Sequence, residues 1–396
     1  MMQISPEIQL FIREHSSDDV RVLALQAKKY PDIDMPTVIT QIAGRKVAAE
    51  KIPSWWEIEK IWYPKHLSLE QCSSEITARY KARLLQGDSL TDLTGGFGID
   101  CSFLATGFKS ATYVERQEEL CEIAAHNFPV LNLNHINIKN EDGVTYLQAM
   151  SPVDCLFLDP ARRNEHGGKT VAISDCEPNV AKLEGLLLSK ANRIMIKLSP
   201  MLDLSQALKE LPHTQEVHII SVNNECKELL LLLGQTAPEE IPVHCVNLST
   251  KGEQEKQLFV FTREQEQHSE CSYTDTLGNY LYEPNASLLK AGAFRSIAAA
   301  YSVKKLHPNS HLYTSETQIE GFPGRTFRII NRCSLNKKEI KENLSDLKKA
   351  NITVRNFPAT VAELRKRIKL AEGGDTYLFA STLNDGQKIL IRCGKV

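Results

Sequence analysis

At 396 residues the chain is too long for one ordinary core, so two or three domains are expected. Hydrophobic residues make up 42% and charged residues 24%, which excludes a disordered chain. The net charge of −2 excludes no partner as a total, but its distribution along the chain is uneven. The start, "MMQISPEIQLFIREHSSDDV", carries charges where a signal peptide needs an apolar stretch. The longest apolar run, "ELLLLLG", is far too short to span a membrane. Ten scattered cysteines without a C-x-x-C pair point to reduced thiols, not to a disulfide framework or zinc site. A cytoplasmic protein without a membrane partner is the expectation. The eleven histidines show no metal-ligand spacing, so no metal is assigned.

Residues 1–86 read as a helical region. "SSDDVRVLALQAKKYP" has a capping run, apolar residues at helical spacing and a proline stop. "SLEQCSSEITARYKARLLQG" reads as one amphipathic helix ended by Gly87. Trp55, Trp56, Trp62 and Tyr63 are expected to pack this region onto its neighbour rather than to stack on a ligand. From Ser89 the pattern turns to strand–helix alternation. The apolar strands are "SLTDLT", "ATYVE", "INIKNED", "DCLFLD", "RIMIKLS" and "EVHIISV", with "LFVFT" as a later one, and "LLLGQTAPEEIPVHCV" followed by "LFVFT" reads as a closing antiparallel pair. This predicts an α/β, Rossmann-like, seven-stranded sheet over 87–266, with helices on both faces. "REQEQHSECSYTD" reads as a polar linker. Two small α+β modules follow, at 271–324 and 325–396, the second ending in a hairpin that turns at Asn384-Asp385-Gly386.

"SLTDLTGGFGIDCSFLA" is the segment that carries most chemistry. A strand feeds a glycine turn at a helix start, where free N–H groups favour a polar ligand. The glycines are Gly95, Gly96 and Gly98, so the G-x-G-x-x-G spacing of dinucleotide sites is not met. Asp92, ahead of the turn, suits a cationic ligand better than a pyrophosphate. S-adenosyl-L-methionine (SAM), with an ammonium and a sulfonium, is such a ligand. Further acids close successive strands: Glu115, 23 residues on, then Asp142, then Asp159. All would face the crevice at the carboxyl edge of a parallel sheet. For any one of them a solvated strand-end carboxylate is the plain alternative. The ordered set favours a SAM site, with a dinucleotide site as its rival.

"DCLFLDPARR" places Asp159-Pro160 at the end of the fourth strand. The glycine turn resembles motif I of the class I, Rossmann-like methyltransferases, and "DPARR" stands where that family has motif IV. Amino methyltransferases of nucleic acids carry [DNS]-P-P-[FYW] there. Ala161 and Arg162 replace the second proline and the aromatic, so amine methylation lacks its aromatic shelf. "LDPAR" also resembles motif IV of the uracil-C5 RNA methyltransferases, which need a cysteine after the next strand. "RIMIKLSP" holds Lys197, Leu198, Ser199 and Pro200 instead, so a C5 adduct is not expected. Arg162 and Arg163 suit a phosphate or a stacked base, or else pair with a crevice acid. Lys197 reads as a phosphate or substrate contact, or as a solvated rim lysine. "NEHGGKT" reads as a loop over the site.

Residues 325–396 hold 16 Lys and Arg against seven Asp and Glu, so this segment is strongly basic while the remainder is acidic. Charge so segregated is a nucleic-acid signal. "RNFPATVAELRKRIKL" concentrates it in Arg355, Arg365, Lys366, Arg367 and Lys369, with Phe357 nearby for base stacking. A solvated helix face is the alternative. This segment resembles a THUMP-like domain, and "YLYEPNASLLKAGAF" with "HLYTS" resembles the small ferredoxin-like insert that precedes it in some bacterial proteins. Together with "EQCSSEITARYKA", "DLTGGFGID" and "DPARR", the resemblance covers nearly the whole chain.

The resemblance implies a SAM-dependent methyltransferase acting on tRNA or rRNA. Asp92, Thr94, Gly95, Gly96, Phe97, Gly98, Glu115, Arg116, Asp142 and Gly143 would hold the cofactor. Asp159, Pro160, Arg162, Arg163 and Lys197 would serve the acceptor. A small-molecule methyltransferase and a catalytically silent RNA-binding protein that keeps the fold remain the alternatives. The oligomeric state and the acceptor atom are not legible.

Overall fold

The computed structural model describes residues 5–162, 172–250 and 256–396. The chain forms two compact units, Met1–Gln215 with Leu230–Pro238 and Glu216–Leu229 with Glu239–Val396. No helix among the described residues is long and apolar enough to cross a membrane.

The first unit opens with helices. Asp19 caps Val20–Leu25 by accepting the Arg21 N–H at 2.8 Å, as the capping run predicts. The long helix expected over "SLEQCSSEITARYKARLLQG" is broken into His66–Gln71 and Glu75–Ala82. Ser74 between them is extended, and the hydroxyl of Ser73 is donated to Asp100 at 2.7 Å. Short hydroxyl side chains compete with helical bonding in this way. Trp55, Ile61 and Tyr63 pack with Phe97, Ile99 and Leu120 in one buried cluster with Trp62 partly against it, as expected, whereas Trp56 is exposed beneath the Arg45 guanidinium.

The strands are β1 (Ser89–Asp92), β2 (Ser110–Glu115), β3 (Ile136–Asn140), β4 (Val153–Leu158), β5 (Ala191–Leu198), β6 (Thr214–Val222), β7 (Glu225–Leu233), β8 (Val243–Leu248) and β9 (Lys256–Phe261). They lie in one sheet in the order β9-β8-β6-β7-β5-β4-β1-β2-β3. β1 is parallel to both β2 and β4, β2 to β3, and β4 to β5. The predicted alternation is therefore present, with more strands than the expected seven. The addition that the pattern missed is β7, whose Leu229–Leu233 are buried throughout. A strand covered on both faces shows no period of two. Its turn, Asn223-Asn224, has φ of 51° and 67°, a left-handed pair that asparagine tolerates without a glycine to announce it.

In the second unit, β10 (Tyr280–Pro284), β11 (Lys304–Lys305), β12 (Tyr313–Ser315), β13 (Gly324–Cys333), β14 (Asn351–Arg355), β15 (Thr376–Thr382) and β16 (Lys388–Lys395) form a seven-stranded sheet. Their order is β11-β12-β10-β13-β16-β15-β14, so the segments before and after residue 324 share one sheet. β15 and β16 pair antiparallel, and the turn carries Gly386 at φ 87°, as the sequence predicts.

Candidate active site

The site is built where the parallel strands end. Asp92 closes β1 and is 1% exposed. Its Oδ1 accepts the Thr94 N–H at 2.9 Å. Its Oδ2 is buried and has no hydrogen-bond partner among the described residues. Burial pushes this carboxyl up to about 8, against the Thr94 hydrogen bond, and the charges of Asp100, Asp159 and Glu115 push the same way. Of the acids expected at this edge, Glu115 and Asp159 act on Asp92, as does the unpredicted Asp100.

The glycine turn is locked to the end of β2. Gly95 donates its N–H to the Val114 carbonyl at 2.9 Å, and a Cβ there would lie 2.3 Å from the Tyr113 ring. Gly96 (φ 54°) donates to Glu115 Oε2 at 2.9 Å and accepts from the Tyr113 hydroxyl. Gly98 takes φ 87° at the start of the helix Ile99–Ala105. Phe97 is turned into the core, edge-on to Trp55 at 5.2 Å. Glu115 Oε1 accepts the Gln117 N–H at 2.9 Å, so both of its oxygens are fixed while keeping further lone pairs. Arg116 pairs with Glu177 at 3.2 Å.

Asp142 is not the last residue of its strand. β3 ends at Asn140, and Asp142 caps the helix Gly143–Ala149, its Oδ1 accepting from Val144 and Thr145 at 3.0 Å. A Cβ on Gly143 would sit 2.2 Å from the Leu93 carbonyl, so this loop lies directly against the end of β1.

Asp159 follows β4. It donates its N–H to Thr94 Oγ1 at 2.6 Å, and its carboxylate bonds the Lys197 ammonium. Lys197 is 8% exposed, so it is not a rim lysine in solvent. It also lies 3.5 Å from Asp100, which pairs with Lys81 at 2.8 Å and accepts from Ser73. Burial pushes the Asp100 carboxyl up, but Lys81 and Lys197 outweigh it and hold it down to about 2. Lys81, Ser73 and Asp100 were absent from the sequence-derived site. No local pattern points to them: Lys81 shares the buried face of its helix with Thr77, Ala78 and Tyr80, which only the folded chain shows. The side chain of Arg162, residue Arg163 and the loop 164–170 lie outside the described residues.

The basic residues of the last segment divide into two groups. Arg355 pairs with Glu283 at 2.9 Å, and Arg325 bonds the same carboxylate, which is 1% exposed. Arg365 donates to the Ala350 carbonyl at 3.1 Å and Arg367 to the Leu335 carbonyl at 2.8 Å. Lys366 and Lys369 are exposed on and just after the helix Val361–Ile368. Phe357 packs partly against the cluster that includes Leu364 and Leu370. Asn285, two residues after Glu283, caps the helix Ala286–Ala291 by accepting the Leu288 N–H at 3.3 Å.

The run β3-β2-β1-β4-β5-β7-β6, with a glycine turn between acids at the carboxyl edge, is the fold of class I methyltransferases. Residues 280–323 match a ferredoxin-like domain family, and residues 324–395 match a THUMP domain-like family. The chain is 36% identical to a "putative methyltransferase" of Porphyromonas gingivalis W83, over 98% of both chains, with a TM-score of 0.88. It belongs to that protein's family, methyltransferases with a C-terminal THUMP-like domain. A Streptococcus mutans structure in complex with SAH is 12% identical over 40% of this chain and 96% of that one, with a TM-score of 0.30. An rRNA methylase of Streptococcus thermophilus is 13% identical over 40% of this chain and 93% of that one, also at 0.30. These two likenesses are too low to carry an argument. No curated protein matches the chain.

Proposed function

We propose that this methyltransferase uses SAM to methylate a base of tRNA or rRNA, and that the basic C-terminal segment holds the RNA. The observation that carries the cofactor reading is the orphaned Oδ2 of Asp92, buried beside the glycine turn. A buried carboxylate oxygen without a donor is costly, and a ligand ammonium removes that cost. When bound, SAM supplies a methyl group on a positively charged sulfur. The chain's own residues do the rest. Asp92 accepts from the ammonium, and Glu115 takes the ribose hydroxyls on lone pairs that Gly96 and Gln117 leave over. Asp142 and Gly143 receive the adenine edge. Asp159 and Pro160 accept a hydrogen bond from the acceptor group and orient its lone pair toward the methyl. Burial raises the Asp159 carboxyl, and the bonded Lys197 ammonium works against that rise and fixes the side chain, while Arg162 with Arg163 steadies the substrate.

The RNA reading is supported by the charge excess of residues 325–396 and by their THUMP domain-like match. Incubation of the full chain with labelled SAM and RNA from cells lacking it, followed by nucleoside analysis, tests both parts. One labelled nucleoside is expected. Label in no nucleoside, with SAM still bound, would leave the small-molecule or silent alternatives.

A further inference from the structure

A second cluster of chemistry-bearing side chains lies in the other unit, and the methyl-transfer reading does not use it. Glu216 and His218 sit two apart on β6, so they share one face of the sheet. β8 runs parallel to β6, and His244 is the register partner of His218. The pairing brings three residues, separated in sequence, onto one patch. Glu216 Oε2 is 3.3 Å from His218 Nε2 and 4.0 Å from His244 Nε2. One ligand atom from each residue lies within 4.8 Å of the other two.

We infer that Glu216, His218 and His244 form a three-ligand site for a divalent transition-metal ion of the zinc type. Two imidazoles and one carboxylate are a recurrent protein donor set for zinc and its neighbours, and they leave a coordination position open. The separations suit the purpose, because two ligands each about 2.0–2.1 Å from one tetrahedral ion lie a little over 3 Å apart. The imidazole rings stack at 4.3 Å with 11° between their planes, and both bring Nε2 to the same Glu216 oxygen. The sequence gives no hint of the site, since positions 216, 218 and 244 match no ligand spacing and only the parallel pairing of β6 with β8 joins them.

The site stands apart from the proposed SAM chemistry, and its test does not depend on activity. The full chain, freed of metal with a chelator, is titrated with Co²⁺ and followed by visible absorption. One equivalent should bind with d–d bands and without a thiolate-to-cobalt band, which separates the site from the ten cysteines. Zn²⁺ should displace the cobalt and raise the melting temperature, and Mg²⁺ should do neither. His244→Ala and Glu216→Gln alter partly exposed side chains and keep the fold. Each should weaken binding by about 100-fold or more, since loss of outer-shell partners alone costs 10–100-fold. No bound cobalt, a thiolate band, or unchanged affinity in both variants would overturn the inference.

Discussion

Asp92 is where the chemistry of a single residue has the most consequence. Its folded pKa of about 8 lies far above the usual carboxylate value of 3.8, so the folded, ligand-free protein holds an extra proton between those limits. Stability from this group therefore falls as pH rises from about 4 to about 8. The proposed ligand needs the ionised form. SAH carries the same ammonium, so its affinity should rise with pH up to about 8, by as much as about tenfold per unit. Below that pH one proton should leave for each SAH bound. Calorimetry in two buffers of different ionisation enthalpy measures that proton; a flat profile without proton release would remove Asp92 from the cofactor site. Asp92→Asn keeps the acceptor for Thr94 but loses the charge. It should weaken SAH binding about 10–100-fold, the worth of a charged hydrogen bond, and level the pH profile. It should also make the unliganded protein more stable above pH 8.

At the scale of elements, the buried strands β1, β2, β4 and β5 were legible because parallel strands covered on both faces read as short apolar runs. The acids at their ends were legible for the same reason, since a charge that closes such a run falls at the carboxyl edge. Asp142 was placed less well, because a cap two residues beyond a strand and a strand-end acid look alike in sequence. The helix Glu75–Ala82 was the largest gap. Its boundaries depend on Ser73 and Ser74, and its partner is Asp100 on another helix, a pairing no local pattern announces. Lys81 is 0% exposed and joins this helix to the glycine-turn helix through Asp100. Lys81→Met removes one partner of a buried ion pair and should cost about 3 kcal/mol, read as a lower urea midpoint. Lys197 still faces Asp100, so a cost near zero would mean that Lys197 alone satisfies it. The double change of Lys81→Met with Asp100→Asn should cost less than the sum of the two, the mark of a direct interaction.

Over the whole molecule, a near-neutral total conceals a basic segment and an acidic remainder. The structure narrows which of those charges can meet RNA. Arg355 is held by Glu283, and Phe357 is partly packed into the module's own core, so neither stands as free as the sequence suggested. Lys366 and Lys369, exposed around one short helix, are the better-placed pair. If they touch phosphates, each releases counterions when RNA binds, and the logarithm of affinity falls linearly with the logarithm of salt. Changing both to alanine should make that slope shallower by about 1.5–2 and weaken binding alike for all RNA sequences. Filter binding of structured RNA at several salt concentrations gives both numbers. Arg355→Lys should instead lower stability through Glu283 and leave the slope unchanged, because a lysine lacks the two-pronged bond that the guanidinium makes there. An unchanged slope in the lysine pair, with a shallower one in Arg355→Lys, would move the RNA face from the Val361–Ile368 helix to the surface around Arg355 at the end of β14.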